Sequence, residues 1–283
     1  MTTALDQLPI DVAVVTVNYK MREQVLTMLR SLYRDTVGGS LRVQPVVVDN
    51  ASDDGIVDAI AREFHGYDPE PIVIASPENI GFGCGSNIAF RAVAARYYLT
   101  ANPDLVFLDE QRGTIAQLHT FLEAHLEIGI LAPKLRLTNG QIQRSCMRFP
   151  AFLDHPAYRL DWHRRYRWAQ KRVDRLHMEN VDHAETRPID WAVGAALFVR
   201  GSYLHEAGGF DERYFMYFED CDFCRTFWSR GWPVYYKGDV VVDHGHERSS
   251  ARIPGVRSLF VNPLTRTHLK SLVQYSWKWR GKR

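Results

Sequence analysis

Apolar runs alternate with amphipathic segments through the first half of the chain. The run "DVAVVTVNYK" (11–20) is largely apolar until its polar end, which is typical of a strand buried on both faces. Apolar positions between 25 and 32 then recur at helical spacing, and the glycines at 38 and 39 end that helix. Three more strands are predicted at "VQPVVVDNASDD", "PIVIASPEN" and "LTANPDLVFLD", with a helix at "GSNIAFRAVAARYY" between the last two.

Strands and helices that alternate at this spacing predict an α/β fold with a doubly wound, mostly parallel sheet. In such sheets, ligands bind beyond the carboxyl ends of the strands. Polar residues directly after the apolar runs are therefore the first candidates for a binding site. They are Asn18, Tyr19, Asp49, Asn50, Asn79, Asn102 and Asp104.

The pattern changes after residue 144. Residues 145–188 are rich in basic and aromatic side chains and predict irregular helices that cover one side of the sheet. Strand-like runs return in "DWAVGAALFVRG" and "PVYYKGDVVVDHGH". Because no linker or repeat separates these parts, the segment is better explained as an insertion than as a domain boundary.

The composition is typical of a globular protein and argues against nucleic acid as a binding partner. The 283 residues are 46% hydrophobic and 24% charged, which is enough apolar material for a sizeable core. A formal net charge of +2 is too small for nucleic acid binding. No window approaches the ~20 consecutive apolar residues of a membrane span, and the N-terminus lacks a secretion signal, so we expect a cytoplasmic protein. Its four cysteines then fit reduced thiols.

The C-terminal end is basic and aromatic. From Arg266 onward, the chain has no acidic residue and mixes Lys and Arg with Leu, Val, Tyr and Trp. This composition suits a helix on an anionic membrane surface, peripheral at the inner face of the cell membrane, where apolar burial and basic side chains act together. It suits equally a terminal helix packed on its own domain.

A glycine-rich stretch, "ENIGFGCGSN" (78–87), lies between a predicted strand and a predicted helix. Alternating glycines let the backbone approach a ligand closely and direct the amides of a helix N-terminus towards an anion. The stretch is not a dinucleotide fingerprint, because that motif follows the first strand as G-x-G-x-x-G and precedes an acidic residue. An oxidoreductase is therefore disfavoured.

Two carboxylates at strand ends indicate specific chemistry. Asp49 is suited to accept a hydrogen bond from the N3–H of uracil or thymine, although "DNASDD" also fits a helix N-cap. Asp104, in "NPD", suits a hard divalent cation, although Asn-Pro-Asp is also common in turns. His244 is the candidate second ligand, although a lone histidine at a strand end is more often structural. An Asp and His pair would accept Mn²⁺ as readily as Mg²⁺.

Three carboxylates crowd one short aromatic stretch. Glu219, Asp220 and Asp222 occur within four positions at the start of a predicted helix. The helix dipole favours acids there, but capping needs one carboxylate, and mutual repulsion raises at least one pKa. A carboxylate with a raised pKa is suited to take a proton from an attacking sugar hydroxyl. We predict Asp220 as that base, with Glu219 and Asp222 orienting an acceptor or a structural group.

Six motifs in order resemble those of a known family. They are "VVVDNASDD", "NIGFGCGSN", "NPD", "IDWAVGAALFVR", "GGFDERYFMYFEDCDFC" and "DHGH". This order resembles inverting GT-A glycosyltransferases of family 2, closest to bacterial rhamnosyltransferase-like enzymes that build O-antigen, capsule and cell-wall polysaccharides. The likeness spans about residues 11–250. Asn102 stands where the family's D-x-D motif has its first Asp, as it often does in this branch.

The resemblance implies an organisation and a set of site residues. The GT-A domain has a nucleotide-sugar-binding half at 1–144 and an acceptor-binding half at 145–250, followed by a basic tail at 251–283. The residues implied for donor binding are Asn18, Asp49, Asn79, Gly81, Asn87 and Asn102. Those implied for the acceptor and sugar side are Trp191, Gly194 and Asp222. Asp104 and His244 would hold Mn²⁺ or Mg²⁺, and Asp220 with Glu219 would carry catalysis.

The implied reaction is inverting transfer of a sugar, with rhamnose favoured, from a dTDP- or UDP-sugar to a hydroxyl of a glycan or lipid-linked glycan. Two other classes stay open. A nucleotidyltransferase would share the sheet and the acidic metal ligands, but "NYKMREQ" lacks the glycine-rich loop expected after its first strand. A non-catalytic nucleotide-sugar or glycan-binding module would keep Asp49, but the joint presence of Glu219, Asp220, Asp104 and His244 argues against it.

Overall fold

The structure is a computed structural model that describes residues 9–151, 154, 161–245 and 263–281. Within them, nine strands form one sheet and two short strands form a second. The large sheet contains β1 (Val12–Asn18), β2 (Val43–Asp49), β3 (Ile72–Ala75), β4 (Tyr97–Ala101), β5 (Leu105–Val106), β6 (Ile130–Leu137), β8 (Arg187–Ile189), β10 (Ala196–Arg200) and β11 (Val234–His244). The small sheet contains β7 (Cys146–Met147) and β9 (Trp191–Ala192).

Helices connect the strands and cover both faces of the large sheet. They are α1 (Arg22–Thr36), α2 (Ile56–Glu63), α3 (Phe82–Ala92), α4 (Thr114–Ala124), α5 (Trp162–Arg165), α6 (Arg167–Leu176), α7 (Gly201–Ala207), α8 (Glu219–Ser229) and α9 (Pro263–Lys278).

The large sheet runs in the order β3-β2-β1-β4-β10-β6-β11-β5, with β8 paired to β11. The first four strands are mutually parallel, as are β6 and β11, whereas β5, β8 and β10 pair antiparallel to their neighbours. The predicted α/β fold with a largely parallel sheet is therefore confirmed. Strands from before and after residue 144 interleave in the sheet, so both parts share one architecture.

The sheet is buried because apolar side chains pack on both of its faces. Along β1, Ala13, Val15 and Val17 pack in one core, and Val12 and Val14 pack in the other. Apolar residues of α1 and α4 belong to the second core, and those of α3 and α8 belong to the first. This two-sided burial explains why β1 and β2 are apolar along most of their length.

Two predicted strands differ from the observed ones. "PIVIASPEN", predicted as a buried strand, forms β3 at the edge of the sheet, where Ile72 is 37% exposed because β3 pairs only with β2. "LTANPDLVFLD", predicted as one strand, forms both β4 and β5. A turn separates them, with the Leu105 N–H donating to the Asn102 carbonyl at 3.1 Å. The break lets β5 pair with β11, which brings Asp104 next to the end of β11.

The C-terminal helix α9 packs on its own domain through one face. Tyr275 is 2% exposed, and the Ser271 hydroxyl donates to the Met216 carbonyl at 2.9 Å. Residues 251–262, 282 and 283 of the predicted tail lie outside the described residues. In the part of the chain that is described, no helix combines the length and hydrophobicity that a bilayer crossing requires.

Candidate active site

Asn18 and Asp49 are register partners at the carboxyl ends of β1 and β2. The Asn18 amide nitrogen donates to Asp49 Oδ1 at 3.1 Å. The same nitrogen lies 2.9 Å from Ser52 Oγ and 3.1 Å from Asp54 Oδ2, and the amide oxygen accepts the Met21 N–H at 3.0 Å. Asn18 is 0% exposed, and the donor contact predicted for it stays a prediction. Its role is to hold Asp49 in place.

Asp49 is not a helix cap. Helix α2 begins at Ile56, whose N–H donates to the Asp54 side chain at 3.1 Å. Asp49 instead ends β2 at the carboxyl edge of the sheet and is 9% exposed. The N-cap interpretation of "DNASDD" is therefore wrong for Asp49, and recognition of a pyrimidine by its carboxylate stays a prediction.

Asn50 ties the glycine-rich stretch to the end of β2. Its amide nitrogen donates to Asn79 Oδ1 and to the Gly81 carbonyl, both at 3.1 Å. Asn79 Oδ1 also accepts the Gly81 N–H at 3.1 Å. Asn50 is 1% exposed, and its hydrogen bonds hold the glycine-rich stretch against the end of β2. Its place directly after a buried run made it a first candidate in the sequence, but no local feature revealed its partners.

Close packing within the protein explains the three alternating glycines. A Cβ atom at Gly81 would lie 2.0 Å from the Phe215 carbonyl oxygen. A Cβ at Gly83 would lie 3.0 Å from Phe210, and one at Gly85 would lie 2.9 Å from Val17. The glycines therefore let the N-terminus of α3 approach β1 and the segment before α8. Direct donor binding by Gly81 stays a prediction.

Replacing Gly81 with Ala should destabilise the fold by more than ~3 kcal/mol, because two costs add. At φ +87° and ψ 174°, Gly81 occupies a backbone region that is essentially restricted to glycine. The new methyl group would also meet backbone, which cannot move aside cheaply. Gly113 is the matched control, since it has φ +81° but no atom within 4 Å of a Cβ, so Gly113→Ala should cost only about 1–2 kcal/mol. Chemical denaturation measures both, and equal losses would contradict the packing argument.

Asn87 in α3 stabilises the segment between α7 and α8 by hydrogen bonds to the backbone of Phe210. Its Oδ1 accepts the Phe210 N–H at 2.8 Å, and its Nδ2 donates to the Phe210 carbonyl at 2.8 Å. Nδ2 also lies 3.2 Å from Glu212 Oε1, and Asn87 is 3% exposed. Both ends of the amide are occupied by this segment. Asn87 therefore has a structural role, and the donor contact predicted for it stays a prediction.

Asp220 is held by backbone N–H groups at the start of α8. Its Oδ2 accepts the Gly194 N–H at 3.0 Å, and its Oδ1 accepts the Cys221 N–H at 2.8 Å. A Cβ at Gly194 would lie 3.2 Å from Asp220 Cβ and 3.2 Å from the Phe82 ring. Gly194, predicted to line the acceptor side, is thus in direct contact with the proposed base. Burial raises the pKa of Asp220 above its ordinary value, although both N–H bonds act to lower it.

Glu219 lies deeper than Asp220. It is 7% exposed, and its Oε2 has no hydrogen-bond partner among the described residues. Burial, together with the charge of Asp220, raises the pKa of Glu219 to about 8. Burial is the larger cause of this shift, and the charge of Asp220 is the smaller one. Glu219 therefore keeps its proton to a higher pH than an ordinary glutamate.

Asp222 faces the C-terminal helix, as in the structural alternative expected for it, and its place on the acceptor side stays a prediction. Its Oδ2 accepts from Lys278 Nζ at 2.6 Å, and its Oδ1 accepts from Trp279 Nε1 at 2.7 Å. Lys278 Nζ also donates to Asp211 at 2.8 Å. Asp222 is 1% exposed, so this ion pair stabilises a buried charge and fastens α9 to α8.

Trp191, predicted to lie on the acceptor and sugar side, belongs to the hydrophobic core. It lies in β9, which pairs with β7, and is 8% exposed. Its indole N–H donates to the Arg148 carbonyl at 3.0 Å. Contact of Trp191 with an acceptor or sugar stays a prediction.

Asp104 and His244 lie side by side. Asp104 Oδ1 is 3.2 Å from His244 Nε2, and Asn102 Nδ2 is also 3.2 Å from that nitrogen. His244 Nδ1 lies 2.7 Å from Gln143 Oε1, an acceptor to which a protonated Nδ1 would donate, and in that tautomer of a neutral imidazole the Nε2 lone pair would be free to bind a cation. His244 is 2% exposed and so has a fixed orientation.

This pair fits two neighbouring ligands of one divalent cation. Adjacent ligands of an octahedral ion at about 2.1 Å are about 3 Å apart, close to the observed separation. Gln143 supplies the outer hydrogen bond that orients a ligating imidazole, and no local sequence pattern indicated this residue. Among the described residues, no group of three or more His, Cys, Asp or Glu gathers. Water and diphosphate oxygens would therefore complete the coordination. A cavity of about 420 Å³ adjoins Asp104 and is bounded by α1.

Short contacts connect these groups along one edge of the sheet. Thr100, near the end of β4, donates its hydroxyl to the Gly194 carbonyl at 3.0 Å, and Gly194 donates its N–H to Asp220. Asn102 follows β4 directly and contacts His244. Strand β4 pairs with β1, and the end of β1 carries Asn18. The carboxyl edge of the sheet therefore carries three groups of candidate residues. They are Asp49, the Asp104 and His244 pair, and the Glu219 and Asp220 pair of α8.

An edge of this kind on a largely parallel sheet is where α/β proteins bind ligands. The class defined by this fold is the GT-A glycosyltransferases. The chain belongs to glycosyltransferase family 2: the sequence model described as "Glycosyltransferase like family 2" matches residues 9–253. The family and the fold expected from the sequence motifs are thereby confirmed.

Individual relatives agree with this assignment. The N-acetylglucosaminyl-diphospho-decaprenol L-rhamnosyltransferase of Mycobacterium tuberculosis is 27% identical over 255 residues, covering 85% of this chain and 78% of that protein. The mannosyltransferase PcManGT from Pyrobaculum calidifontis, solved with GDP-Man and Mn²⁺, matches with a TM-score of 0.60 at 16% identity, covering 96% and 67% of the two chains. S. aureus TarS 1-349 with UDP matches with a TM-score of 0.55 at 13% identity, covering 84% of this chain and 61% of TarS 1-349. At these identities the two solved structures show the fold alone.

Proposed function

We propose that this protein is an inverting glycosyltransferase that moves a sugar, with rhamnose favoured, from a dTDP- or UDP-sugar to a hydroxyl of a glycan or lipid-linked glycan in bacterial surface polysaccharide synthesis. The observation that carries the proposal is the Glu219 and Asp220 pair, buried and anchored by Gly194 on the same sheet edge as Asp104 and His244. Membership of family 2 supports the class of reaction. The name of the mycobacterial relative supports rhamnose and a lipid-linked acceptor.

Donor recognition would begin at Asp49. Its carboxylate, oriented by the Asn18 amide, would accept the N3–H of the base. Uracil and thymine both present this group, so Asp49 serves either nucleotide. Asn79 and Gly81, fixed by Asn50, would border the base and ribose, and Asn102 would lie near the diphosphate beside His244.

Asp220 would be the general base. The N–H groups of Gly194 and Cys221 fix both carboxylate oxygens, which leaves their remaining lone pairs to accept a proton from the acceptor hydroxyl. The oxygen of that hydroxyl would attack the anomeric carbon as the bond to the diphosphate breaks, so the configuration inverts. Glu219, which keeps its proton to a higher pH than an ordinary glutamate, would leave Asp220 as the charged member of the pair. A divalent cation on Asp104 and His244 would stabilise the charge of the departing diphosphate.

The test is transfer by the purified chain with Mn²⁺, a panel of dTDP- and UDP-sugars that includes dTDP-rhamnose, and an N-acetylglucosaminyl-diphosphoprenol acceptor. We expect nucleoside diphosphate release only when donor and acceptor are both present, and a product whose new linkage has the inverted anomeric configuration by NMR. Binding of a donor without release under any combination would indicate a non-catalytic module. Formation of a nucleotide sugar from a nucleoside triphosphate and a sugar phosphate would indicate a nucleotidyltransferase. The cytoplasmic location stays a prediction.

A further inference from the structure

The outer face of α9 has an unusual composition. Its exposed apolar residues are Leu269, Val273 and Trp277, which are 47%, 61% and 76% exposed. They are spaced four residues apart, so they form one stripe along the helix. A helix that only packs on its own domain has no need of three large apolar side chains on its solvent side.

The exposed charges beside this stripe are all basic. Arg266 and Lys270 each precede a stripe residue by three positions, so they share its face of the helix, and Arg280 lies in the turn directly after α9. The three basic and three apolar residues are all of the exposed side chains between residues 264 and 280. No acidic residue occurs after Arg266 in the chain. We name these six residues the outer face of α9.

The opposite face of α9 is fastened to the domain. Tyr275 and Ser271 are buried, and Lys278 is paired with Asp222 and Asp211. The outer face is therefore turned away from the core and presented to the surroundings. Because Asp222 lies two residues from Asp220, α9 also lies close to the acid pair of the proposed active site.

We propose that the outer face of α9 binds the surface of an anionic lipid bilayer. Leucine, valine and tryptophan would enter the boundary between head groups and acyl chains, with tryptophan suited to that depth by its amphipathic ring. The three basic side chains would lie among negatively charged head groups. The charge of the face selects a bilayer over a second copy of this chain, since two copies packed through it would bring like charges together. Bilayer binding would bring a lipid-linked acceptor beside Asp220.

Flotation of the purified chain with lipid vesicles tests this surface. We expect binding to vesicles of phosphatidylcholine with phosphatidylglycerol, weaker binding to phosphatidylcholine alone, and loss of binding at high salt. The triple variant Arg266→Gln/Lys270→Gln/Arg280→Gln should bind anionic vesicles about 10²-fold more weakly, from roughly fivefold for each basic side chain. The triple variant Leu269→Gln/Val273→Gln/Trp277→Gln should lose binding by a factor of ~10² or more.

The matched control is Val37→Gln/Leu126→Gln, which removes two apolar side chains that are 71% and 64% exposed elsewhere on the surface. It should bind vesicles like the unchanged chain. All variants change exposed residues, so thermal melting should be close to that of the unchanged chain. Vesicle binding needs neither donor nor turnover, so its outcome is independent of the proposed reaction. Transfer to a water-soluble acceptor analogue should be unchanged in both triple variants.

Three results would overturn the proposal. One is a chain that does not float with anionic vesicles. Another is binding that neither triple variant reduces. The third is a dimer in analytical ultracentrifugation that the apolar triple variant converts to a monomer without vesicle binding, which would assign the outer face of α9 to a second copy of the chain.

Discussion

Asp220→Asn is expected to lower the turnover of sugar transfer by ~10² or more, the usual contribution of a positioned base. Asparagine keeps the shape of the side chain and can still accept one of the N–H bonds that Gly194 and Cys221 donate. It has no basic oxygen that can take the proton of the acceptor hydroxyl. The attacking oxygen would then have to carry its proton into the transition state. Donor affinity should be retained, because Asp49 is oriented by Asn18, whereas Asp220 is held by Gly194 and Cys221.

Turnover is measured by nucleoside diphosphate release, and donor affinity by the shift in thermal stability that ligand binding produces. Glu219→Gln is the matched variant. With its pKa raised to about 8, Glu219 keeps its proton to a higher pH than an ordinary glutamate, and glutamine resembles that protonated form. Glu219→Gln should therefore reduce turnover at pH 7 much less than Asp220→Asn. A reversed order would assign the base to Glu219, and normal turnover in Asp220→Asn would remove Asp220 from the mechanism.

Local pattern was sufficient to predict much of the fold. β1 and β2 are apolar because both of their faces are covered, and α1 shows helical spacing because one face packs on the sheet. The break between β4 and β5 was harder to recognise, because each side of "NPD" is apolar and the choice depends on β11, more than 120 residues later. Both strands can be recognised in the sequence, but the sequence does not show that β5 pairs with β11.

The roles of the site residues were also only partly predictable from local sequence pattern. Residues whose positions follow from a strand end, such as Asp49 and Asp104, lie where the pattern predicted. Asn87, Trp191 and Asp222 have hydrogen-bond partners that are 123, 43 and 57 residues away, and local sequence pattern could not reveal these contacts. A buried polar side chain must find a partner, and the sequence does not show whether that partner is a ligand or a distant part of the chain. The family motif is thus partly structural.

Removal of divalent cations is expected to lower transfer by at least ~10², and Asp104→Asn should have an effect of similar size. The 3.2 Å between Asp104 Oδ1 and His244 Nε2 suits neighbouring ligands of one ion, and Gln143 fixes the imidazole so that Nε2 points to that position. A neutral amide at residue 104 is a weaker ligand for a hard cation, so a higher Mn²⁺ concentration would be needed. Without the cation, the negative charge on the departing diphosphate would lack its main stabilisation.

The measurement has two parts, so that loss of cation binding can be separated from loss of folding. Transfer is followed during EDTA treatment and Mn²⁺ or Mg²⁺ addition, and Mn²⁺ binding in the presence of nucleoside diphosphate is followed by electron paramagnetic resonance. Asp109→Asn is the control, because it removes one exposed carboxylate outside the site and should change neither readout. Transfer that EDTA does not affect would remove Asp104 and His244 from the ligand set. Their contact would then be an ion pair or hydrogen bond that joins the turn after β4 to the end of β11.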